Sequence, residues 1–338
     1  MAQLTIIGLG TIGGSLGMAL EKVASADKDR WKGVTIAGYD PDRRVVEEAL
    51  VRGAVDRIAR SLQEAAQEAD IVIVAQPAGA IIRTLYEIGP LLPEGCIVTD
   101  TATSKAEVLR YAAQYLPRGV SFVGGHPIPL PQNEVDWAAG IKAAKPDLLQ
   151  GAVYCLTPAP SASEQAVDII ANLVRLVGAS PFFLDAVEHD GLLAGLSHAP
   201  YVVAAAMLYT IASSSAWRDL KLLADPTFQR MNQVLASLPT DFHQACLANR
   251  QTLVSWLDRV VGVLQQVRRE MVDESSSGEY LQGIADKSRE AYQDWLQRRD
   301  ERDKELAGGM AEVASAKQTF LGLFLPRVGR LRPGKKKD

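Results

Sequence analysis

The chain has 338 residues, of which 47% are hydrophobic and 22% are charged, and its net charge is -4. One hydrophobic core rarely serves more than about 250–300 residues, so this length predicts two domains. The negative charge argues against a nucleic-acid partner, because phosphates favour a basic surface. Three widely spaced cysteines fit neither a disulfide framework nor a metal site, which is typical of a cytoplasmic protein. No basic segment precedes the first apolar run, so no signal peptide is expected.

Residues 1–185 alternate short apolar runs with helical stretches. The strand candidates, in chain order, are LTIIGLG, VTIAGYD, DIVIVAQ, CIVTD, VSFVGG, AVYCLT and SPFFLD. Val, Ile and Phe dominate these runs with little polar alternation, as in parallel strands that are buried on both faces. With helices between them, they predict a doubly wound α/β domain of the Rossmann dinucleotide-binding type.

Strand patterns stop after Asp185, so an all-α domain for substrate binding and dimerisation is predicted over residues 186–310. Asp185 is the expected N-cap of its first helix, with Glu188 completing a capping box. The most apolar stretch, 199–212, is too short to cross a bilayer and is predicted to be a buried helix, so no membrane partner is expected. Residues 311–338 are predicted to be an extension with a basic, disordered, solubilising tail.

A later helical stretch carries apolar residues at a heptad spacing. The seam consists of Cys246, Leu253, Val260 and Val267, with Leu257, Leu264 and Met271 between them. Such a seam requires another helix against it, and a second subunit would supply one. A homodimer is therefore expected.

The glycine-rich sequence IIGLGTIGGSLG follows the first strand and begins a helix. Gly8 permits a tight turn, Gly10 lets a pyrophosphate approach the backbone, and Gly13 lets helix and strand pack closely. Thr11 and Ile12 lie between them, at the helix N-terminus that faces the anion. The motif alone is weak, but its place between a strand and a helix predicts a dinucleotide site. The alternative is a glycine-rich turn without a ligand.

Asp40 ends the second strand, where a carboxylate accepts hydrogen bonds from ribose hydroxyls and repels a 2′-phosphate. This position favours NAD, with NADP as the less favoured cofactor. Two structural alternatives stay open: Asp40 only initiates the turn at Pro41, or Asp42 is the cap of the next helix. Arg43 and Arg44 follow closely and would suit a phosphate.

His126 is one of four histidines and follows the strand VSFVGG, at a carboxyl end where doubly wound folds bind ligands. Gly124 and Gly125 allow a close approach, and Pro127 holds the turn extended. Hydride transfer from a carbinol needs a base for the hydroxyl proton, and an imidazole suits that task. His126 is therefore the predicted catalytic residue of a dehydrogenase, the alternative being a structural histidine.

Five motifs occur in the order expected of the prephenate/arogenate dehydrogenase family of tyrosine biosynthesis: GLGTIGGSLG, DTATSK, VGGHPI, EHDGLLAGLSHAPY and WRDL. The resemblance covers residues 3–270, and G-H-P together with S-H-x-P is far more specific than the glycine loop. It implies NAD-dependent oxidative decarboxylation of prephenate to 4-hydroxyphenylpyruvate, or of arogenate to tyrosine. Hydride leaves the ring carbon that bears the hydroxyl, and carbon dioxide leaves from across the ring. The reaction requires no metal.

The resemblance also implies roles for individual residues. His126 polarises the ring hydroxyl and helps to remove its proton. Thr103, with Ser104 beside it, supplies a hydroxyl near the cofactor. In the second domain, His198 lies near the substrate, and Arg218 binds a substrate carboxylate, which suits a bidentate guanidinium.

These second-domain assignments have structural alternatives. His198 is alternatively a satisfied helix histidine beside the kink expected at Pro200, and Arg218 is alternatively a surface partner of Asp219. His189 lies nine residues before His198, which places the two about half a turn apart around an ideal helix, so both cannot easily face one ligand, and His189 is interpreted as structural.

One loop departs from the family. The family continues after H-P with a short A-G-S/T-E stretch, whereas IPLPQNEVDWAAG is longer and lacks it, which leaves Gln132, Asn133 and Glu134 only as candidates. Two rival hypotheses therefore stay open. One is a hydroxyacid-type dehydrogenase with a catalytic lysine on a helix, and the other is a non-catalytic dinucleotide sensor or inactive homologue.

Overall fold

The computed structural model describes residues 2–26, 28, 31–130, 137–237 and 242–307. The described residues divide into two compact units. Unit 1 contains the residues up to Asp190 together with 237–248, and unit 2 contains 191–236 and the residues from Asn249 onward. The predicted extension at 311–338 and the loop candidates Gln132, Asn133 and Glu134 lie outside the described residues.

In the described part of unit 1, eight strands form one sheet in the order β3-β2-β1-β4-β5-β6-β7-β8. Their bounds are β1 (Ala2–Ile7), β2 (Val34–Tyr39), β3 (Arg57–Ile58), β4 (Ile71–Val74), β5 (Ile97–Asp100), β6 (Ser121–Ile128), β7 (Val153–Pro158) and β8 (Ser180–Phe183). The seven predicted strands are all present, and the order of the first six is that of the Rossmann fold. The additional β3 has two residues, too few to show an apolar run.

The sheet is mixed, so the expectation of parallel strands throughout was wrong for the last two. β1 to β6 pair in parallel, β7 pairs antiparallel to β6, and β8 is parallel to β7. The apolar run of β7 is as continuous as those of its neighbours because it is equally buried. Burial sets the apolar pattern of a strand, whereas its direction depends on the connection that precedes it.

Helices cover both faces of the sheet. Their bounds are α1 (Thr11–Ser25), α2 (Arg43–Val51), α3 (Leu62–Gln67), α4 (Ala78–Ile88), α5 (Ala106–Tyr115) and α6 (Glu164–Leu176). One apolar cluster contains Leu16 of α1 and Ile169 of α6, and the other contains Leu85 of α4 and Val108 of α5. This arrangement confirms the predicted doubly wound α/β fold.

The described chain after β8 is helical, as predicted. The helices are α7 (Ala186–Leu193), α8 (Ala199–Ala212), α9 (Trp217–Leu220), α10 (Pro226–Gln233), α11 (Phe242–Ala248), α12 (Arg250–Val272) and α13 (Glu279–Ala307). The predicted heptad seam is not on one helix, because α11 with Cys246 ends before α12 begins at Arg250.

α7, a π-helical turn at Ala194–His198, and α8 form one helical run. Asp185 caps it as predicted, since its Oδ1 accepts the Val187 N–H at 2.8 Å. The π turn ends two residues before Pro200, which has no N–H to donate and so disturbs regular α-helical bonding.

The prediction of a buried helix at 199–212 was wrong. The full run Ala186–Ala212 has 27 residues and is long and apolar enough to cross a membrane by length and composition, with 22% of its most apolar window buried. Within α8, only Ala199 and Ala204 are buried, while Met207 and Tyr209 are exposed. Its apolar surface is therefore largely uncovered in the single chain.

Candidate active site

The glycine loop joins β1 to the N-terminus of α1. Gly8 has a φ of 94°, in the left-handed region, and a Cβ on Gly8 or Gly13 would collide with backbone carbonyl oxygens. A Cβ on Gly10 would meet nothing within 4 Å, so the loop leaves open space at the start of the helix. That space and the N–H groups of the first helical turn fit a pyrophosphate.

The two residues between the glycines contribute differently. The Thr11 hydroxyl donates to the Gly140 carbonyl at 2.9 Å, so its side chain holds the neighbouring segment in place. Ile12 is partly exposed on the first turn of α1. Only their backbone N–H groups are suited to an anion.

The Asp40 side chain is hydrogen-bonded to the backbone of the glycine loop. Its Oδ2 accepts the Leu9 N–H at 2.9 Å, and its Oδ1 accepts the Asp42 N–H at 3.0 Å. Asp42 is the N-cap of α2, since it accepts the Arg44 N–H at 3.0 Å. Both structural alternatives are therefore present: Asp40 closes the turn at Pro41 and Asp42 caps α2. Asp40 also lies beside the glycine loop, and its role with a ribose stays a prediction.

The two arginines after Asp42 are engaged on the surface of α2. Arg44 pairs with Asp42 at 3.0 Å, and its hydrogen bonds lower the pKa of that carboxyl. Arg43 pairs with Glu47 at 2.8 Å. A 2′-phosphate would have to compete with these carboxylates.

His126 lies inside β6, not in the turn that was predicted after this strand. The parallel pairing of β5 with β6 ends at Thr99 and Val123, and His126 then pairs with Cys155 of the antiparallel β7. The strand continues past the glycines because β7 supplies the pairing that β5 no longer gives. His126 is thus beyond the paired end of the parallel strands, where ligands of such sheets bind, and it is buried.

The glycines before His126 allow a close approach, but it is the approach of β6 to its neighbouring strands and not that of a loop. A Cβ on Gly124 would collide with the Thr157 side chain, and a Cβ on Gly125 would lie 2.6 Å from the Asp100 carbonyl oxygen. Any larger residue would push β6 away from its neighbours.

His126 contacts a second histidine that was interpreted as structural. Its Nδ1 lies 3.0 Å from Nε2 of His189, and Nδ1 of His189 lies 2.9 Å from Oδ1 of Asp190. Asp190 also accepts the backbone N–H groups of Lys105, at 2.7 Å, and Ala106, at 2.9 Å, at the start of α5. Sequence reasoning missed this contact because His126 and His189 are 63 positions apart. The adjacent His and Asp in the EHD motif were the available sign.

A buried ion pair holds the same region of β6. Lys105 Nζ donates to Asp100 Oδ2 at 2.5 Å and to the Gly125 carbonyl at 2.6 Å, and the Gly125 N–H donates to Asp100 Oδ1 at 2.9 Å. Burial lowers the pKa of Lys105, and the nearby Asp100 opposes that shift. The ion pair therefore holds both the N–H and the carbonyl of Gly125, and so fixes the position of the backbone next to His126.

The two hydroxyl residues of DTATSK face different surroundings. Thr103, assigned a catalytic role by resemblance, is exposed. Ser104 is buried, and its hydroxyl has no hydrogen-bond partner in the described part of the chain. Thr103 is therefore the hydroxyl that a ligand in solution can reach.

The two candidates of the helical region lie in unit 2. His198 is the last residue of the π-helical turn and is buried. Arg218 is the second residue of the short α9 and is exposed. Between described residues, no ion pair joins Arg218 to Asp219, so the surface-pair alternative does not account for this arginine.

The glycine loop with its adjacent carboxylate and the imidazole at the strand ends define the class, a dinucleotide-dependent oxidoreductase. Comparison with known proteins narrows it. The family model "Prephenate dehydrogenase, nucleotide-binding domain" matches residues 23–182, and "Prephenate dehydrogenase, dimerization domain" matches residues 185–285. The chain belongs to the prephenate dehydrogenase family.

Individual relatives agree with this assignment. A prephenate dehydrogenase of Bacillus subtilis is 30% identical over 267 residues, covering 78% of this chain and 69% of that protein. A cyclohexadienyl dehydrogenase of Zymomonas mobilis is 27% identical over 281 residues, which cover 82% of this chain and 91% of that protein.

Solved structures support the fold. Prephenate dehydrogenase from Aquifex aeolicus, in complex with hydroxyphenyl propionate and NAD+, has a TM-score of 0.74 at 22% identity, covering 86% of this chain and 98% of that one. Arogenate dehydrogenase from Synechocystis has a TM-score of 0.69 at 26% identity, and the match covers 86% of this chain and 99% of that one.

Proposed function

We propose that this protein is an NAD-dependent dehydrogenase that converts prephenate or arogenate to a phenol by oxidative decarboxylation. The observation that carries the proposal is His126, an oriented imidazole beyond the paired ends of the parallel strands in a Rossmann-type unit. Membership of the prephenate dehydrogenase family gives the substrate class. The domain limits proposed from the sequence are 1–185 for the dinucleotide and 186–310 for substrate and dimer contacts.

The residues divide the chemistry between them. Gly8, Gly10 and Gly13 with the start of α1 hold the pyrophosphate, and Asp40 accepts the ribose hydroxyls. NAD, when bound, accepts the hydride. His126 takes the proton of the ring hydroxyl as the hydride leaves the ring carbon that bears this hydroxyl. The electron pair of the broken bond to carbon dioxide completes the aromatic ring as a phenolate. The phenolate oxygen then takes a proton from His126 or from water, which gives the phenol.

Three further residues are proposed to act on the substrate. Thr103 presents its exposed hydroxyl beside the cofactor, His198 lies near the ring, and Arg218 binds a carboxylate of the substrate. A guanidinium suits that carboxylate because it donates two parallel hydrogen bonds.

The test is an assay of reduced-cofactor formation with prephenate and arogenate in parallel, each with NAD and with NADP. We expect turnover of at least one substrate with NAD. Binding of NAD without turnover of either substrate would favour the sensor hypothesis. Turnover of a saturated hydroxy acid alone would favour the hydroxyacid-dehydrogenase hypothesis.

Replacing Asp40 with serine is expected to narrow the preference for NAD over NADP, because a carboxylate that repels the 2′-phosphate is lost. The ratio of kcat/KM for the two cofactors measures the effect. Asp168→Ser is the control, since Asp168 is an exposed acid on α6 of the same unit. A wild-type protein that prefers NADP would contradict the role of Asp40.

We also propose that the protein is a cytoplasmic homodimer joined through unit 2. The described cysteines are all free thiols, which suits a reducing compartment. Along the predicted seam, Leu253 is buried, but Leu264 and Met271 of α12 are 59% and 56% exposed. Together with the uncovered surface of α8, these side chains would leave a large apolar area in water, which monomers rarely expose.

The double change Leu264→Glu and Met271→Glu is expected to shift the protein from dimer to monomer, because charges would replace apolar contacts at the seam. Light scattering at micromolar concentration measures the mass. Val51→Glu is the matched control, since Val51 is an exposed apolar residue on α2 in unit 1. A monomeric wild type would contradict the proposed dimer.

A further inference from the structure

Three buried side chains form what we call the histidine relay: His126, His189 and Asp190. They are 7%, 0% and 6% exposed, respectively. The links are 3.0 Å from His126 Nδ1 to His189 Nε2 and 2.9 Å from His189 Nδ1 to Asp190 Oδ1. The two rings meet edge to face at 75°. A hydrogen bond between two imidazoles requires one ring to donate and the other to accept.

The contacts of Asp190 set the direction of every proton in the relay. Its carboxylate accepts the N–H groups of Lys105 and Ala106, and a carboxylate can only accept, so His189 Nδ1 donates to it. Neutral His189 then has its lone pair on Nε2. His126 Nδ1 must donate to that lone pair, which leaves the basic lone pair of His126 on Nε2.

We propose that His189 and Asp190 are positioning residues for catalysis. They hold His126 in the tautomer whose Nε2 accepts the proton of the substrate hydroxyl. When His126 takes that proton, the new positive charge lies next to a neutral imidazole that is bonded to a carboxylate. Stabilising that charge lowers the free-energy barrier of proton transfer, as a carboxylate hydrogen-bonded to a catalytic histidine does in other enzymes. This inference rests on the proposed function.

Among the described residues, the other titratable groups around His126 do not replace Asp190 in this role. Cys155, its strand partner on β7, is a thiol whose pKa is raised by burial. Asp100 and Lys105 pair with each other beside Gly125. Asp190 is thus the carboxylate that the described contacts link to the histidines.

The first test compares two changes at His189. His189→Phe removes the acceptor, and kcat should fall by about 10–100-fold with KM for substrate and NAD nearly unchanged. His189→Gln can place an amide oxygen near the former Nε2, so it should recover part of that loss. Glu188→Gln, on the exposed side of the same helix, is the control and should keep wild-type kcat. NAD titration counts the folded sites in each variant.

The second test uses the pH profile. If Asp190 stabilises charged His126 through His189, the acid limb of kcat/KM should move to lower pH in His189→Gln. A purely packing role of His189 would leave that limb in place. A folded His189→Phe protein with wild-type kcat, or equal losses in His189→Phe and His189→Gln, would overturn the relay.

The tautomers can be measured without turnover. With four histidines in the chain, nitrogen-15 labelling and single variants assign each ring. We expect both His126 and His189 to carry the proton on Nδ1 when neutral. The opposite tautomer at His126 would refute the relay. A wild-type protein without activity would instead refute the proposed function, and the two failures are therefore distinguishable.

Discussion

Replacing His126 with asparagine is expected to lower kcat by about 10²–10⁴-fold, the usual range for a positioned acid–base group. The imidazole acts mainly as the hydroxyl proton is lost, so its contribution belongs to the transition state. KM should therefore change much less than kcat. Steady-state kinetics with the better of the two substrates measures both constants.

The matched control for this change is His243→Asn, since His243 is an exposed histidine on α11. It should retain wild-type kcat. In the wild type, kcat/KM should fall at low pH as His126 becomes protonated and can no longer accept the proton. A folded His126→Asn protein with wild-type kcat and the same acid limb would remove His126 from the mechanism.

Lys105→Met is expected to destabilise the protein by about 3–5 kcal/mol, because it leaves the Asp100 carboxylate buried without its cation. Lys105 and Asp100 are both 0% exposed in their side chains. Denaturant unfolding measures the loss as a lower midpoint with an unchanged slope. Since Lys105 also holds the Gly125 carbonyl, activity should fall even where the variant is folded.

The control is Arg110→Met on α5, whose partner Glu107 is 3.9 Å away in an exposed pair. Such pairs contribute about 0–1 kcal/mol, so its unfolding midpoint should scarcely move. The double change Lys105→Met with Asp100→Asn should be less destabilising than the sum of the single changes, because the uncompensated charge is then gone. A loss below that of the surface control would contradict the structural role of the buried pair.

The sequence alone predicted the local features of the nucleotide-binding unit. The strands are continuous apolar runs, and Gly8 and Gly13 lie where a turn and a close approach require glycine. Asp40 at the end of β2 and the cap at Asp185 were equally predictable. These features depend on residues that are close together in the chain, so local patterns contain them.

Only the tertiary structure decided the direction of β7 and the surroundings of His126. The pairing of β6 with β7 turns a predicted turn into a strand, and no local pattern records which neighbour a strand will have. The contact of His126 with His189 joins residues 63 positions apart. Spacing on an ideal helix compared His189 only with His198, and it could not show a partner from another element. The pairing of His126 with His189 depends on long-range packing, because hydrogen bonds between distant elements form only where the fold brings their side chains together.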